Sequence, residues 1–301
     1  MNTHGIMFSK GHGHVASSYK LEMKPTGTWI LAATLGCASR LACAQLQVLP
    51  DQPVPCLFGS EARKITVLWH NAGDHAQAAG IRLRLYQTSS ATAAPLAEKR
   101  WKEIEVLPGQ TVLESAAVDF PAVNAETKFL VQWLADTNRV VGKTEVLVYP
   151  TNLLDEFKPM LGGEKMGVLD PNGMVKPSLK KSGVGFLDLG GMVLDDFSGK
   201  LAVVGPFQSR AQMREGLAQT IQRIAKMGVA VVWIQPPPEP KDEIKPSFFI
   251  VPEGKGAVII VQPELVADFS ENPKSQLNLI YFCKLALKPE PPVLPDFAPQ
   301  P

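Results

Sequence analysis

Carboxylates are the side chains of this sequence best suited to chemistry. If Asp170 and Asp188 converge, they could bind a divalent cation or act as an acid and base pair. Alternatively, Asp170 is a turn residue within Asp-Pro-Asn-Gly, and Asp195 and Asp196 are solvated charges in a loop. We favour the second interpretation. The candidate catalytic residues, all at or just beyond predicted strand ends, are Asp170, Asp188, Asp195 and Asp196.

A second candidate site is the loop between a predicted strand and helix, where ligands and anions bind in open α/β sheets. The loop matches neither G-x-G-x-x-G nor G-x-x-x-x-G-K-[ST], nor the G-x-S-x-G of a serine nucleophile. A plain turn, with Ser209 and Gln212 as a capping box, explains the same residues. The candidate ligand-binding residues are Gly205, Phe207, Gln208 and Ser209, with Glu239 in a neighbouring proline-rich loop.

Histidine is absent from residues 151–301, because all five histidines lie before residue 76. Composition therefore excludes a Ser or Cys nucleophile paired with a histidine base from the same half. His70 and His75 flank a turn with Asp74 and could hold a metal, but no further ligand has diagnostic spacing, so we predict neither metal nor cofactor. Cys56 and Cys283 could form a disulfide; we predict two separate, mostly buried thiols.

A strand–helix–strand unit over residues 200–235 must position the loop. Residues 201–204 and 229–234 are continuous apolar runs, typical of parallel strands covered on both faces. Between them Met213, Leu217, Ile221 and Ile224 recur at helical spacing, and Gly228 supplies the helix stop.

The same α/β pattern extends over residues 164–288. Further strands are predicted at 165–169, 185–189, 248–251 and 257–262, with a short helix at 177–182 and a closing helix begun by Asn272 and Pro273. The proline-rich loop from Pro236 should line the same crevice. Residues 151–163 read as a linker with one helical turn, and 289–301 as a proline-rich tail that is loose or lies on the surface.

In residues 45–150 the hydrophobic pattern has a period of two residues, which is typical of strands. Apolar and polar side chains alternate around Ile65–Trp69, Ile81–Leu85 and Phe129–Trp133, with further strands at 101–106, 111–118 and 143–149. This spacing predicts an antiparallel sandwich of immunoglobulin-like type, without the Cys…Trp…Cys spacing of true immunoglobulin domains. Trp69 and Trp133 should lie inside. Trp101 could be a surface platform for a sugar ring or part of the core.

Residues 1–44 read as a leader, with the true start near Met23. A basic start, an apolar stretch and Ala42-Cys43-Ala44 predict secretory cleavage before Gln45 and a secreted or periplasmic protein. A lipoprotein signal at Cys37 or Cys43 ranks below simple secretion.

The chain has 301 residues, 45% of them hydrophobic, and a net charge of +1, which suits two domains with real cores and gives no reason to expect nucleic acid. No stretch of the mature part is long enough to span a membrane.

The order of elements over about 160–288 resembles the class I glutamine amidotransferase-like fold. The resemblance rests on the turn from Asp170 to Gly173, the central unit and the Asn272-Pro273 helix start. It implies a flavodoxin-like sheet and a Cys nucleophile on a strand-to-helix elbow. The matching elbow at 205–209 has no Cys, and Cys283 falls inside the final helix, so a degenerate domain without a triad is implied. Secreted bacterial proteins, including some glycoside hydrolases, carry such domains beside immunoglobulin-like sandwiches, often without activity.

Three functions fit these observations. We favour a secreted, non-catalytic binding or scaffold protein whose partner is a protein or a polysaccharide. The first alternative is a hydrolase acting on carbohydrate or ester through the aspartate cluster. The second is a structural or assembly protein that forms oligomers through its α/β domain.

Overall fold

The structure is a computed structural model that describes residues 46–50, 53–89, 91–136, 138–239 and 247–289. The predicted leader and all of the proline-rich tail after Pro289 lie outside these ranges, as does the second part of the proline-rich loop, from residue 240.

Eight strands form two sheets in the first half of the chain. The sheets have the orders β1-β3-β6 and β2-β8-β7-β4-β5, and every neighbouring pair is antiparallel except β2 with β8. The predicted strands are confirmed, while β1 and β2 are additional. The strands are β1 Leu46–Leu49, β2 Cys56–Phe58, β3 Ala62–Asn71, β4 Gln77–Thr88, β5 Ala93–Val106, β6 Thr111–Asp119, β7 Thr127–Ala135 and β8 Arg139–Tyr149.

One hydrophobic core contains alternate residues of both sheets. Two tryptophans lie in it, and a third packs against it. Trp69 and Trp133 are fully buried, as their strand alternation predicts. Trp101 stacks on Trp69 with ring centroids 6.0 Å apart and lies 5.5 Å from Trp133. The register of β4 with β5 shifts at this point: Ile81 faces Lys102 while the next residue faces Arg100, which leaves Trp101 as the extra residue of a bulge. Trp101 therefore packs, partly buried, against this core.

A six-stranded, mostly parallel sheet forms the second half. Its order is β10-β9-β11-β12-β14-β13, and only the edge strand β13 is antiparallel. These sheets confirm the predicted combination of all-β and α/β structure. The strands are β9 Met166–Leu169, β10 Phe186–Asp188, β11 Leu201–Val204, β12 Ala230–Ile234, β13 Phe248–Glu253 and β14 Gly256–Val261; the helices are α1 Phe157–Leu161, α2 Lys176–Lys181, α3 Leu217–Lys226 and α4 Pro273–Leu287.

Both faces of this sheet are buried, which explains its continuous apolar runs. Val203 and Val232 point to a core shared with α2 and α4, whereas Val204 and Val231 point to a core shared with α3. The connection from β10 to β11 consists of 3₁₀ turns at Leu189–Gly191 and Leu194–Asp196 rather than an α-helix.

The predicted start of the central helix is wrong. Ser209 precedes a 3₁₀ turn and makes no side-chain cap, and α3 begins only at Leu217 after Gly216. The Gln212 side chain accepts a hydrogen bond from the Gln208 backbone nitrogen instead of the Ser209 nitrogen. The other two helix signals are confirmed: Gly228 follows the end of α3, and the Asn272 side chain accepts a hydrogen bond from the Lys274 nitrogen.

Residues 151–163 pack more closely than a linker would. Leu154 and Phe157 are buried in the same cluster as Phe58 and Tyr149 of the first half and Phe282 of α4. The described residues belong to one compact unit, Ala44–Pro301. A division into two domains near residue 150 therefore stays a prediction, as does the immunoglobulin-like family of the sandwich. None of the helices in the described ranges is long and apolar enough to cross a bilayer.

Candidate functional site: the crevice at the carboxyl edge of the parallel sheet

A crevice of about 410 Å³ opens where the order of the parallel sheet reverses. The chain runs from β9 outward to β10 and returns to β11 on the other side of β9. In open α/β sheets, ligands bind outside the carboxyl ends of the strands at such a switch point. The polar and charged residues that line it are Asp170, Lys176, Asp188, Gln212 and Arg214.

Asp170 is buried and holds the loop that leads into α2. Its carboxylate accepts hydrogen bonds from the backbone nitrogens of Met174, Val175 and Lys176, at 3.1, 2.8 and 3.0 Å. These are nitrogens of the first helical turn and the residues before it, which have no helical partner of their own. Asp170 is thus the turn and capping residue of the favoured interpretation.

Asp188 ends β10 and is more exposed. It accepts hydrogen bonds from the Lys176 ammonium at 2.7 Å and from the Gly190 nitrogen at 2.8 Å. These two donors stabilise the charged carboxylate, the lysine first, and hold the pKa of Asp188 below its usual range. A carboxylic acid that donates a proton near neutral pH needs the opposite shift.

Lys176 therefore joins the two aspartates that share the crevice. Its backbone nitrogen donates to Asp170 and its ammonium pairs with Asp188. The side chain is only 20% exposed, so most of it is buried in the wall of the crevice. The Lys176 ammonium is thus the cation that pairs with Asp188 in this crevice.

The opposite wall is fixed by polar contacts across the loop after β11. The Arg214 guanidinium donates to the Gly190 carbonyl at 2.7 Å. Asn172 and Gln212 exchange side-chain hydrogen bonds of 3.2 and 3.0 Å, and the Asn172 amide also donates to the Pro206 carbonyl. The loops after β9 and β11 are thereby tied together above the switch point.

The predicted loop residues contribute mainly structure. Gly205 has φ = +101°, and a Cβ there would lie 2.3 Å from the Ile234 carbonyl oxygen, so this position requires glycine. The Gly205–Pro206 peptide bond is cis. Phe207 is buried and lines the crevice with its ring, whereas Gln208 and Ser209 are exposed and do not line it.

The remaining acidic candidates lie elsewhere. Asp195 pairs with Arg223 in the last turn of α3, at 2.6 Å, and lines a different cavity that includes Lys200 and Val229 at the amino ends of β11 and β12. Asp196, next to it, is exposed. Glu239 lies 3.8 Å from Arg210 in the proline-rich loop and does not line the crevice.

The sequence interpretation missed Lys176, Arg214 and the Asn172–Gln212 pair. Lys176 had a usable signal, because an aspartate in a turn just before a helix often caps it and brings the first helical residues close. Gln212 was assigned to the capping box, and Arg214 to the polar face, of a helix that starts later than predicted. No local sequence pattern shows that Gln212 bonds Asn172 after β9 or that Arg214 bonds the Gly190 carbonyl.

The other candidates stay apart from the crevice. The His70 ring lies 3.0 Å from the Thr111 hydroxyl, and His75 is exposed beside Asp74. Within the described ranges, no three His, Cys, Asp or Glu side chains form a metal-binding group.

Cys56 and Cys283 are separate thiols, as predicted. Cys283 is fully buried, and this burial raises its thiol pKa.

Comparison with known proteins leaves the family open. No protein-family model matches the sequence, and no curated protein matches it. Solved structures show partial similarity. Spo0M, a sporulation control protein from Bacillus subtilis, is 14% identical over 39% of this chain and 56% of its own, with a TM-score of 0.28. The alkylpurine DNA glycosylase AlkC of Pseudomonas fluorescens is 10% identical over 36% and 31%, with a TM-score of 0.28.

A β-glucosidase from Listeria innocua is 17% identical over 35% of this chain and 16% of its own, with a TM-score of 0.26. The chain thus spans about half of Spo0M and less than a third of the other two. Similarity at these TM-scores supports no statement about the fold family or the function of this chain.

Proposed function

We propose that this chain is a secreted, non-catalytic binding or scaffold protein whose partner is a polysaccharide or a protein. The observation that supports this is the pairing inside the crevice. Asp170 accepts hydrogen bonds from three backbone nitrogens, and Asp188 is paired with Lys176 and Gly190. Carboxylates that are held by such hydrogen bonds fix the conformation of the surrounding loops.

Acid–base chemistry needs a carboxyl group that changes protonation near the working pH. The pKa of Asp188 is shifted downward by its lysine partner, so it stays ionised at neutral pH. The half of the chain that forms the crevice has no histidine to act as a base, and the loop after β11 has no cysteine. These features support binding over hydrolysis.

The crevice has the polarity of a site for a neutral, hydroxyl-rich ligand. Lys176 and Arg214 supply two positive charges and Asp170 and Asp188 two negative ones, so the formal charges cancel. The Gln212 amide adds a donor and an acceptor at the rim. A sugar offers hydroxyl groups that donate and accept, whereas a polyanion would meet two fixed carboxylates. The charge balance of the crevice therefore supports a neutral polysaccharide over an anionic one.

Our proposal keeps the architecture that the sequence predicts. We propose an immunoglobulin-like sandwich followed by a degenerate glutamine amidotransferase-like domain, exported by the leader to the periplasm or the outside of the cell. The order β10-β9-β11-β12-β14 supports the α/β part, because it is the 2-1-3-4-5 order of flavodoxin-like sheets. The resemblance of element order around Asp170 and Asn272 is the other support.

One observation favours a second candidate, a hydrolase that uses two carboxylates. Asp170 and Asp188 do line one crevice, as the sequence interpretation required for that function. In such an enzyme Lys176 would have to release Asp188 when the substrate binds. The loss of hydrolysis in an Asp188→Asn variant would then be expected.

The two candidates separate in one experiment. The protein is run through gels that contain soluble polysaccharides of different charge, and the same mixtures are analysed for released sugars. We expect retardation by a neutral polysaccharide that Arg214→Gln weakens and Lys181→Met, an exposed change on α2, leaves unchanged. Released sugars that disappear in Asp188→Asn would instead establish the hydrolase.

A further inference from the structure

A second cavity lies at the other end of the α/β half, between α1 and the last turns of α4. Its volume is about 770 Å³, and its apolar lining comes from Pro159, Met160, Tyr281, Leu285 and Leu287. Tyr281 is 52% exposed although it neighbours two aromatic rings, those of Phe248 and Phe282. We call this cavity the α4 groove.

The rim of the α4 groove is positively charged. Lys200, Lys284 and Lys288 line it together with a single acidic residue, Glu156, so three positive charges face one negative charge and the formal sum is +2. Lys284 forms an ion pair with Glu156, which fixes it at the rim. A fitting occupant would combine apolar side chains with negative charge.

The chain itself supplies such a segment next to the groove. Lys288, which lines the groove, is followed by Pro289, and the sequence then continues for twelve residues to 301. These residues contain Glu290 and Asp296 and no lysine or arginine, which gives a formal charge of −2. They also contain Pro292-Val293-Leu294-Pro295, a P-x-x-P sequence. Segments of this kind adopt polyproline II structure and bind grooves lined by aromatic side chains.

The distances allow the segment to reach Tyr281. Lys288 leaves the helical conformation with φ = −138° and ψ = 80°. Along α4 the seven residues from Tyr281 to Lys288 span about 10 Å at 1.5 Å per residue. A polyproline II segment rises about 3.1 Å per residue, so four residues that run back along the helix cover about 12 Å.

We propose that residues 290–301 bind in the α4 groove of their own chain. In this arrangement the P-x-x-P residues cover Tyr281 and Met160, while Glu290 and Asp296 lie near the lysines of the rim. The inference does not depend on the function proposed for the crevice at the opposite edge of the sheet.

The test compares the full chain with a chain that stops after Pro289, which keeps every residue that forms the groove. Methionine methyl groups are labelled with ¹³C and followed by NMR. We expect the Met160 signal to shift when the tail is removed and the signal of Met174, at the opposite edge, to stay in place. A synthetic peptide of residues 289–301 should return the Met160 signal of the shortened chain toward its position in the full chain.

Affinity supplies the second measurement. The peptide should bind the full chain about tenfold or more weakly than the shortened chain, because the tethered tail competes at a high effective concentration. Tyr281→Ala in the shortened chain should remove peptide binding, whereas Val193→Ala, an exposed change elsewhere, should not.

Four results would overturn the proposal. Three are a Met160 signal that does not change when the tail is removed, equal peptide affinity for both chains, and peptide binding that persists in Tyr281→Ala. A full chain that is dimeric in light scattering and becomes monomeric without the tail would place the tail in a second copy and would also overturn it.

Discussion

The Lys176 ammonium lies 2.7 Å from a carboxylate oxygen of Asp188, and both residues line the crevice. This pair, with the Gly190 nitrogen, lowers the pKa of Asp188. Its contribution to stability is therefore fully present above the unfolded-state pKa of about 4 and is lost as the pH falls through the lower folded-state value. Since the Asp188 side chain is 58% exposed, salt should weaken the effect.

Replacement of Asp170 should destabilise the fold more than replacement of Asp188. Asp170→Ala leaves three backbone nitrogens near α2 without their acceptor, and we expect a loss of about 2–3 kcal/mol. Asp188→Ala removes a partly exposed ion pair and should cost less than about 1 kcal/mol. Urea unfolding of both variants measures the difference. Equal losses would show that Asp170 is not the main cap of this loop.

Gly205 should not tolerate a side chain. Gly205→Ala combines a left-handed backbone with a contact of 2.3 Å to the Ile234 carbonyl, and we expect a loss of about 2–4 kcal/mol. Gly191 is the matched control, because a Cβ there meets nothing within 4 Å. Thermal unfolding of the two alanine variants tests this, and similar melting temperatures would contradict the geometry of the loop after β11.

Trp101 should behave as a core residue. Trp101→Ala removes its contacts with Trp69 and Trp133, and we expect a loss of about 2–4 kcal/mol in chemical unfolding. Leu113→Ala is the control, since Leu113 is 63% exposed and its change should stay within about 0.5 kcal/mol. If Trp101→Ala kept its stability but lost binding to a sugar, Trp101 would be a surface platform after all.

Cys283 should be unreactive in the folded protein. Its thiol is fully buried in α4, and burial raises its pKa, so little thiolate forms and no reagent reaches it. Alkylation under native conditions, followed by peptide mapping, should find Cys283 unmodified, and unfolding in urea should make it react. A disulfide-linked peptide of Cys56 and Cys283 would refute the separate thiols.

The sequence predicts the elements of this chain well wherever side-chain periodicity decides them. The alternation of Ile65, Val67 and Trp69 and the apolar run at 201–204 are typical of strands with one and two buried faces, respectively. The end of α3 at Gly228 and the start of α4 at Asn272 follow from local capping. The start of α3 is different: Ser209 and Gln212 have the pattern of a capping box, but Gln212 bonds Asn172 from another loop.

The candidate site was only half predictable for the same reason. That Asp170 and Asp188 share one edge follows from two parallel strands. That Lys176 pairs with Asp188, and that Asp195 lies at the other end of β11, depends on how loops return across the sheet. The connection from β10 to β11 lacks an α-helix, and no residue pattern in the sequence predicts that a helix is missing there.

The protonation state of the Asp188 carboxyl group tests most directly the claim that the crevice is non-catalytic. Its ¹³C signal can be followed by NMR from acid to neutral pH, with and without Mg²⁺ or Ca²⁺, in the wild-type chain and in Lys176→Met. We predict a wild-type pKa below the usual range of aspartate, a higher pKa in Lys176→Met, and no response to either cation. A raised wild-type pKa, or signals of Asp170 and Asp188 that shift together with the cation, would contradict the non-catalytic account.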